Sequence, residues 1–383
     1  MTIRTATRTA VLALAAVGLV LAAPAAHADR HARPVLRTQI PGALPRHFRF
    51  QYADRFRGWP VAPVHAQHPI RGTFLDPRGR DDSGLAGYHF GVDINVDDRH
   101  PDPGAPPGFS HRVYALEGGW AVPRAVDTTV PCSDRRLLVG HFSYWHVSPI
   151  VRLWQHIRPG QQIGWTCSGQ WHVHVSEWAK VRGARVWVNP LHRNGKIAPY
   201  VDRATPVVRA LRFFAGPLLP WRPTASLTTS DAARRLSPAH LHGLVELRAL
   251  IEARQSFWGF IARHPAWQTP EHPYRVAVEI RSVQTGAVVL GRVSFQSDRL
   301  PQTPYLVHYA PGTAQNGSMA ECLALPPGSR CRGTYWFRPF SRFTQEYWNT
   351  RRLRDGAYRV TVYAWDITGN KTSRTVRVEV TNL

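Results

Sequence analysis

Two short segments carry polar side chains whose types and spacing are suited to holding a metal ion. His89 and Asp93 are four residues apart, so in an extended segment both would lie on one face. His172 and His174 are two apart in a segment with the pattern of a strand, which places both imidazoles on one face and valines on the other. Neutral imidazole and carboxylate are both ligands of zinc. The chain has 19 histidines, so the pair His89 and Asp93 is by itself weak evidence for a metal site. The pair His172 and His174 could also be two histidines on an exposed sheet face.

A fifth residue, His146, lies in the apolar and aromatic stretch from Phe142 to Pro149. By itself this setting is also typical of a hydrogen-bonded core histidine. An imidazole titrates near neutrality, so it can take up or give a proton during hydrolysis. No Gly-x-Ser-x-Gly or phosphate-binding glycine loop is present, which disfavours a serine hydrolase or a nucleotide-binding enzyme.

The elements expected to position these side chains, in residues 66–198, are short β-type runs separated by Gly and Pro. Patterns with a helical period are scarce there, so we predict a mostly antiparallel β domain. The clearest runs are Val113–Leu116, Leu137–Gly140, Gln162–Trp165 and Trp171–Trp178.

Residues 205–383 contain runs in which every second residue is apolar: Tyr274–Ile280, Tyr358–Ala364 and Val376–Val380. Such alternation buries one face of a strand against a second sheet, which predicts a β-sandwich. The stretch Leu241–Ile251 fits either a strand or a helix that begins near Ser237-Pro238, and we favour the strand. The fold class is therefore mostly β, with two β domains in sequence.

The N-terminus has the features of a secretory signal. Arg4 and Arg8 precede an apolar run, Val11–Ala23, and Ala26-His27-Ala28 is a small-x-small cleavage site. We predict a signal peptide at 1–28, cleavage near Ala28, a secreted or cell-wall-associated protein, and no transmembrane helix in the mature chain. Residues 29–65 are interpreted as a linker or an arm that packs on the following domain.

Composition narrows the class of protein further. With 43% hydrophobic residues and 14 tryptophans, the bulk of the chain is not disordered. The formal net charge is +23, and loss of two arginines with the signal would leave +21. Export makes nucleic acid an unexpected partner, whereas anionic cell-wall polymers become an expected one.

Four cysteines allow three pairings, and an oxidising compartment permits disulfides. Cys322 and Cys331 are nine residues apart around a Pro-Pro-Gly turn, so we expect this pair to close a loop, which leaves Cys132 to pair with Cys167. A zinc–thiolate site is the alternative, but the chain has no Cys-x-x-Cys spacing.

Taken in order, His-x-x-x-Asp, then a single His in a Tyr-x-His-x-Ser setting, then His-x-His resembles the lysostaphin-type (LytM-like) zinc metallopeptidases. The resemblance covers residues 66–198. Sequences around these motifs also resemble those of the family. They are the entry strand Ile70–Phe74, the hairpin Val113–Gly119, the turn Arg158–Gly164 and the ending Asn189-Pro190-Leu191. The resemblance implies that His89, Asp93 and His174 hold one Zn²⁺ per chain.

The resemblance further implies that His146 and His172 lie beside the metal without binding it. One would act as the general base, and the other would donate a hydrogen bond to the oxyanion. Their assignment to these two roles stays open. The implied reaction is hydrolysis of peptide bonds in peptidoglycan cross-bridges or stem peptides, with an immunoglobulin- or fibronectin-like sandwich attached. The Gly-rich loop that commonly precedes His-x-His is replaced here by Cys167–Trp171, which puts the substrate in question. The alternatives are a non-catalytic wall-binding or regulatory module, or a peptidase acting on secreted proteins.

Overall fold

The computed structural model describes residue 40 and residues 42–78, 87–124, 129–216, 234–256, 271–303, 305–313, 333–340 and 347–382. The predicted signal peptide and the predicted Cys322–Cys331 pair lie outside these residues. Within them, the helical segments are short 3₁₀ turns at Cys132–Asp134, Tyr305–Val307 and Thr350–Arg352, and the regular structure is otherwise antiparallel β. The expectation of a mostly β protein is confirmed.

The N-terminal part is built around one large sheet. Its strands are β1 (Ile70–Gly72), β2 (Val92–Asn95), β5 (Val122–Arg124), β6 (Arg136–Val139), β7 (Phe142–Trp145), β11 (His172–Val181) and β12 (Ala184–Val188). They are ordered β1-β2-β11-β7-β6-β5, and β12 pairs with the far half of β11. The long strand β11 is therefore central. At its His172 end it lies between β2, which contains Asp93, and β7, which leads to His146.

Two smaller sheets complete this part. Their strands are β3 (Phe109–Tyr114), β8 (Val147–Pro149) and β10 (Gln162–Cys167) in one, and β4 (Gly119–Trp120) and β9 (His156–Ile157) in the other. In the first of them β10 lies between β3 and β8. The chain passes from β7 in the large sheet to β8 in the small one through a single residue, His146, so His146 lies at a corner between two sheets.

The C-terminal part has two further sheets. One contains β13 (Val207–Ala215), β14 (Arg235–Leu236), β15 (Leu244–Glu252), β18 (Trp336–Phe340) and β19 (Trp348–Asn349), and the other contains β16 (Arg275–Ser282), β17 (Val288–Gln296), β20 (Gly356–Trp365) and β21 (Lys371–Val380). The favoured strand over Leu241–Ile251 corresponds to β15. On β20 the alternation has the predicted effect, because Tyr358, Val360, Val362 and Ala364 are all buried.

The two parts are joined by polar contacts to the backbone of β1 and of the loop that follows it. Gln255 both accepts from the Ile70 N–H (2.9 Å) and donates to the Ile70 carbonyl (2.6 Å). His272 Nε2 hydrogen-bonds the Phe74 carbonyl at 2.6 Å, and the Tyr309 hydroxyl donates to the Leu75 carbonyl at 2.9 Å. We call these contacts the seam. Residues 66–198 and 205–383 belong to one compact unit, while the exact domain boundaries stay a prediction.

The described residues of the 29–65 segment contact both parts of the chain: residues 42–44 bond to Asp298 and Arg299 of the C-terminal part, and later residues contact the N-terminal part. Trp59 is fully buried and its indole N–H donates to the Pro199 carbonyl at 2.8 Å. The Tyr52 hydroxyl donates to Glu177 Oε1 at 2.6 Å. In the part of the chain that is described, no helix has the length and apolarity needed to span a membrane.

Candidate metal centre

Strand register brings two of the candidate residues side by side. Asp93 on β2 lies directly opposite His174 on β11, and directly opposite residues of an antiparallel pair point to the same face. His174 also lies opposite Trp145 on β7, the residue before His146. The alternation predicted for β11 therefore holds.

His89 reaches the site by a different route from the one expected. The segment from His89 to Asp93 is not continuously extended, since β2 begins at Val92. Instead, the backbone of His89 is bonded to the loop after β1: its N–H donates to the Asp76 carbonyl (2.8 Å), and its carbonyl accepts from Leu75 N–H (2.8 Å). The idea of a shared strand face was wrong for His89, because this loop sets its position.

Gly91 allows two segments of the chain to approach each other closely. A side chain there would collide with the Val175 carbonyl oxygen, and its Cβ would lie 2.6 Å from His174 Nε2. Only the absence of a Cβ lets the chain pass this close to β11. The glycine thus brings the His89 segment against the strand that bears His174.

Three potential ligand atoms converge in a buried position. His89 Nε2 lies 2.8 Å from His174 Nδ1, and both nitrogens lie 3.0 Å from Asp93 Oδ1. The exposed fractions of His89, Asp93 and His174 are 2%, 2% and 6%. These three residues form the His/Asp cluster of the described chain that could hold a metal ion.

The hydrogen bonds of the two histidines are compatible with a cation in this cluster. His89 Nδ1 lies 2.8 Å from the Thr73 carbonyl, which can only accept, so Nδ1 carries the proton and Nε2 offers a lone pair. His174 Nε2 lies 2.7 Å from Ser176 Oγ; when this nitrogen donates to the hydroxyl, Nδ1 also offers a lone pair. With the Asp93 carboxylate, three lone-pair atoms then face one another, and a cation among them removes the repulsion. Outer partners of this kind orient metal ligands.

The second oxygen of Asp93 is held by Arg78, whose guanidinium donates to Oδ2 at 2.8 Å. Burial alone would raise the pKa of Asp93, but the nearby His89, His172 and Arg78 charges hold it well below the ordinary value. Burial, together with the charge of Arg78, lowers the pKa of His89 to about 3. The cluster therefore presents a carboxylate and a neutral imidazole, the forms that bind metal.

His146 and His172 lie beside the cluster as a pair. Their ring centroids are 4.7 Å apart, and His172 Nε2 is 3.6 Å from Asp93 Oδ1. In each ring Nδ1 donates to a backbone carbonyl, that of Ser133 for His146 and that of Gln170 for His172. Both rings thus keep the same tautomer, with a proton-accepting Nε2 remaining for chemistry.

The backbone around this pair adopts conformations that are uncommon for residues other than glycine. His146 has φ 63° and Trp171, just before β11, has φ 60°. Left-handed backbone at a non-glycine residue costs free energy and persists where the surroundings enforce it, often at functional sites. At His146 the enforcing contacts come from Ser133 and from Cys167, whose N–H donates to the His146 carbonyl at 2.9 Å.

Burial lowers the pKa of His146, with His174 adding to the effect. Burial also holds the pKa of His172 well below its usual value, although the Asp93 charge acts in the opposite direction; the positive charge of Arg71 lowers both pKa values further. Without a bound ligand both imidazoles are neutral near pH 7. Each imidazole can therefore accept a proton at Nε2 first, and can donate from Nε2 only after it has done so.

The predicted disulfide between Cys132 and Cys167 is present, with Cα atoms 5.8 Å apart. It connects the 3₁₀ turn that contains Ser133 to the end of β10. Cys132 precedes Ser133, whose carbonyl accepts from His146, and Cys167 itself donates to the His146 carbonyl. The sequence predicted the pairing at the rim of the site, and the structure adds this link to His146.

Some side chains around the site were missed or misjudged from the sequence. Ser176 was not identified from the sequence as a partner of His174, although its position two residues after His174 places it on the same strand face. Arg78 had no local signal, being 15 residues from Asp93. Glu177 is buried within β11 on the opposite face and bonds Tyr52, which the sequence did not reveal.

The structure brings all five candidate residues together: His89, Asp93 and His174 as a cluster able to bind a metal ion, and His146 and His172 alongside. No protein-family model matches the sequence, and no match was found among the curated proteins or the solved structures.

Proposed function

We propose that this protein is an exported zinc metallopeptidase whose substrates are peptide bonds in peptidoglycan cross-bridges or stem peptides. The observation that carries the proposal is the close placement of a His/Asp/His cluster and two neutral, unliganded histidines with matching tautomers. The choice of zinc follows from the donor set, two imidazoles and one carboxylate, which is that of catalytic zinc sites with an open fourth position. The peptidoglycan substrate rests on the resemblance to LytM-like enzymes.

Under this proposal, His89, Asp93 and His174 hold the ion, and Thr73, Arg78 and Ser176 orient them. A bound zinc ion supplies a Lewis acid and lowers the pKa of water to about 7. The Nε2 atom of His146 or of His172 accepts the proton of the attacking water. The other imidazole takes up a second proton from solvent and then donates to the developing oxyanion.

The positive charges near the pair support the same chemistry. Arg78 contacts Asp93, and Arg71 acts electrostatically on both His146 and His172. Because a tetrahedral oxyanion develops negative charge, nearby fixed positive charges favour the transition state over the neutral substrate. The same charges disfavour premature protonation of the two imidazoles.

The remaining parts of the proposal concern location and accessory structure. Export depends on the signal sequence at 1–28, and a β-sandwich of immunoglobulin or fibronectin type is proposed for residues 205–383. The high positive charge would favour association with anionic wall polymers through attraction that weakens in salt.

Metal content and hydrolysis of four proteins test the proposal. Wild type should contain about one zinc per chain. His174→Ala should lose it, whereas His146→Ala should keep zinc and lose hydrolysis by about 10²- to 10⁴-fold. His156→Ala, which changes an exposed histidine outside the site, is the matched control and should behave as wild type. Absence of metal in wild type, or full activity of His146→Ala, would refute the enzyme.

The substrate is tested separately by mass spectrometry of products from purified cell walls and from casein-like proteins. Cleavage of wall peptides supports the proposal, and cleavage of the proteins alone supports a secreted-protein peptidase. Zinc binding without cleavage of either would indicate a non-catalytic module.

A further inference from the structure

A cluster of exposed apolar side chains lies away from the metal centre. Trp120, Ile150, Leu153 and Trp154 are 58%, 55%, 58% and 63% exposed. The other strongly exposed large apolar residues in the described part of the chain are isolated valines: Val201, Val207 and Val288. Concentration of apolar surface in one place, instead of scatter, is the usual mark of an interaction surface.

The backbone under this cluster is firmly built. Trp120 on β4 lies opposite His156 on β9, and their rings are 5.1 Å apart. Ala121 N–H donates to the Gln155 carbonyl (2.9 Å), and Trp154 N–H donates back to the Ala121 carbonyl (2.8 Å). We call residues 118–121 and 150–158 the tryptophan tip.

One backbone feature shows that the exposure of Trp154 is maintained at a cost. Trp154 has φ 60°, a conformation unfavourable for a bulky side chain. Arg152 N–H donates to Gln155 Oε1 at 3.0 Å and fixes the turn around it. The turn therefore holds an indole in solvent at a position where Asn or Gly would be less strained.

The charges on and beside the tip are positive or paired: Asp54, which accepts from the Gly118 N–H at 2.9 Å, forms an ion pair with Lys196. The segments 118–124 and 149–164 contain three arginines, Arg124, Arg152 and Arg158, and no acidic residue. Arg152 and Arg158 are exposed. With a chain charge of +23, and with the carboxylate of Asp54 paired with Lys196, the tip is attracted to an anionic surface.

We infer that the tryptophan tip docks on an anionic lipid surface, with its four apolar side chains entering the interface and its arginines contacting the headgroups. Indole rings favour the boundary between headgroups and acyl chains, and Leu and Ile favour the apolar side of it. Nearby arginines add attraction to anionic lipids. A sugar-binding platform would use the faces of Trp120 and Trp154 but would gain little from Ile150 and Leu153. This inference does not depend on the peptidase proposal.

Sedimentation of the full-length protein with vesicles tests the inference. Wild type should bind vesicles of phosphatidylcholine mixed with phosphatidylglycerol, bind pure phosphatidylcholine weakly, and lose affinity in high salt. Trp120→Ser with Trp154→Asn should weaken binding about tenfold or more, because two indoles no longer enter the interface. Asn suits the left-handed backbone at position 154, so the fold is preserved.

Two further variants separate the contributions. Val207→Ser with Val288→Ser removes exposed apolar side chains elsewhere and should bind as wild type. Arg152→Glu with Arg158→Glu keeps all four apolar residues and should reduce binding to the anionic vesicles about tenfold or more. Circular dichroism of each variant checks that it is folded.

The inference is overturned if wild type does not sediment with anionic vesicles, or if the double tryptophan variant binds them as tightly as wild type. Tryptophan-dependent retention on lipid-free insoluble glycan, without vesicle binding, would also overturn it and assign the tip to sugars.

Discussion

His146 donates its Nδ1 proton to the carbonyl of Ser133, the residue next to disulfide-bonded Cys132. The carbonyl of His146 in turn accepts from the N–H of Cys167, the other half of the bridge. One covalent link therefore joins the two segments that determine the tautomer of His146 and its left-handed backbone. The disulfide holds these contacts in place without touching the metal ligands.

Replacing both cysteines by serine should accordingly affect stability and turnover more than metal binding. The bridge spans 35 residues, and loss of a loop closure of this size costs about 3–4 kcal/mol of unfolding free energy in the chain-entropy account. We expect hydrolysis per bound zinc to fall about tenfold, because His146 loses its fixed orientation. Denaturant titration, metal content and peptide hydrolysis measure the three quantities. Undiminished turnover per zinc would show that the bridge serves stability alone.

Ser176→Ala removes the hydroxyl that lies 2.7 Å from His174 Nε2. Without it the imidazole loses its orienting partner, and metal affinity should fall about 10- to 100-fold. Competition with a chromophoric chelator gives the affinity. Ser143→Ala is the matched control, since Ser143 is the buried residue directly opposite Ser176 on β7. Equal affinities for the two variants would contradict an orienting role.

Tyr309→Phe tests the seam. The change leaves the buried Leu75 carbonyl without its hydroxyl donor, which should lower the free energy of unfolding by about 1–3 kcal/mol. Because Leu75 N–H bonds the His89 carbonyl, metal affinity should also weaken several-fold. Tyr363→Phe, on the second sheet of the C-terminal part, should change neither quantity. Calorimetry and metal titration provide the readouts, and unaltered metal affinity in Tyr309→Phe would show that the seam does not support His89.

His141 and Glu117 should give a pH-dependent contribution to stability. A hydrogen bond to Glu117 raises the pKa of His141 despite partial burial. A histidine whose folded pKa lies above its unfolded value stabilises the protein fully below the unfolded pKa, near 6.5, and loses this contribution as pH rises through the folded pKa.

His141→Gln should therefore destabilise the protein more at slightly acid pH than at alkaline pH. Melting temperatures across this range, with exposed His156→Gln as control, measure the difference. A pH-independent loss would mean that packing, and not charge, accounts for the effect of His141. Neither residue belongs to the His89/Asp93/His174 cluster, so metal loading should not change the outcome.

Side-chain periodicity explains which site residues could be found from the sequence. His172 and His174 were identified by alternation on one strand, and the same rule would have found Ser176. Asp93 was identified together with His89, although a loop, not a common strand, positions the latter. The β class and the strand β15 followed from patterns of the same kind.

Other contributors could not be found because they leave no local signal in the sequence. The carbonyls of Thr73, Ser133 and Gln170 orient three histidines, and a carbonyl is present at every residue. Tyr309 acts on Leu75 from 234 residues away, a distance over which no local pattern operates. Asn95 is similar: it lies opposite His172 with a buried amide, and only the strand register reveals that it borders the site.

The seam also limits how such a protein can be recombined. Gln255, His272 and Tyr309 satisfy four backbone groups, the Ile70 N–H and the carbonyls of Ile70, Phe74 and Leu75. A chimera that kept residues 66–198 and replaced the C-terminal part would expose or orphan these groups unless the new partner supplied donors and acceptors at the same points. The two halves are therefore expected to be inherited, transplanted and engineered as a pair.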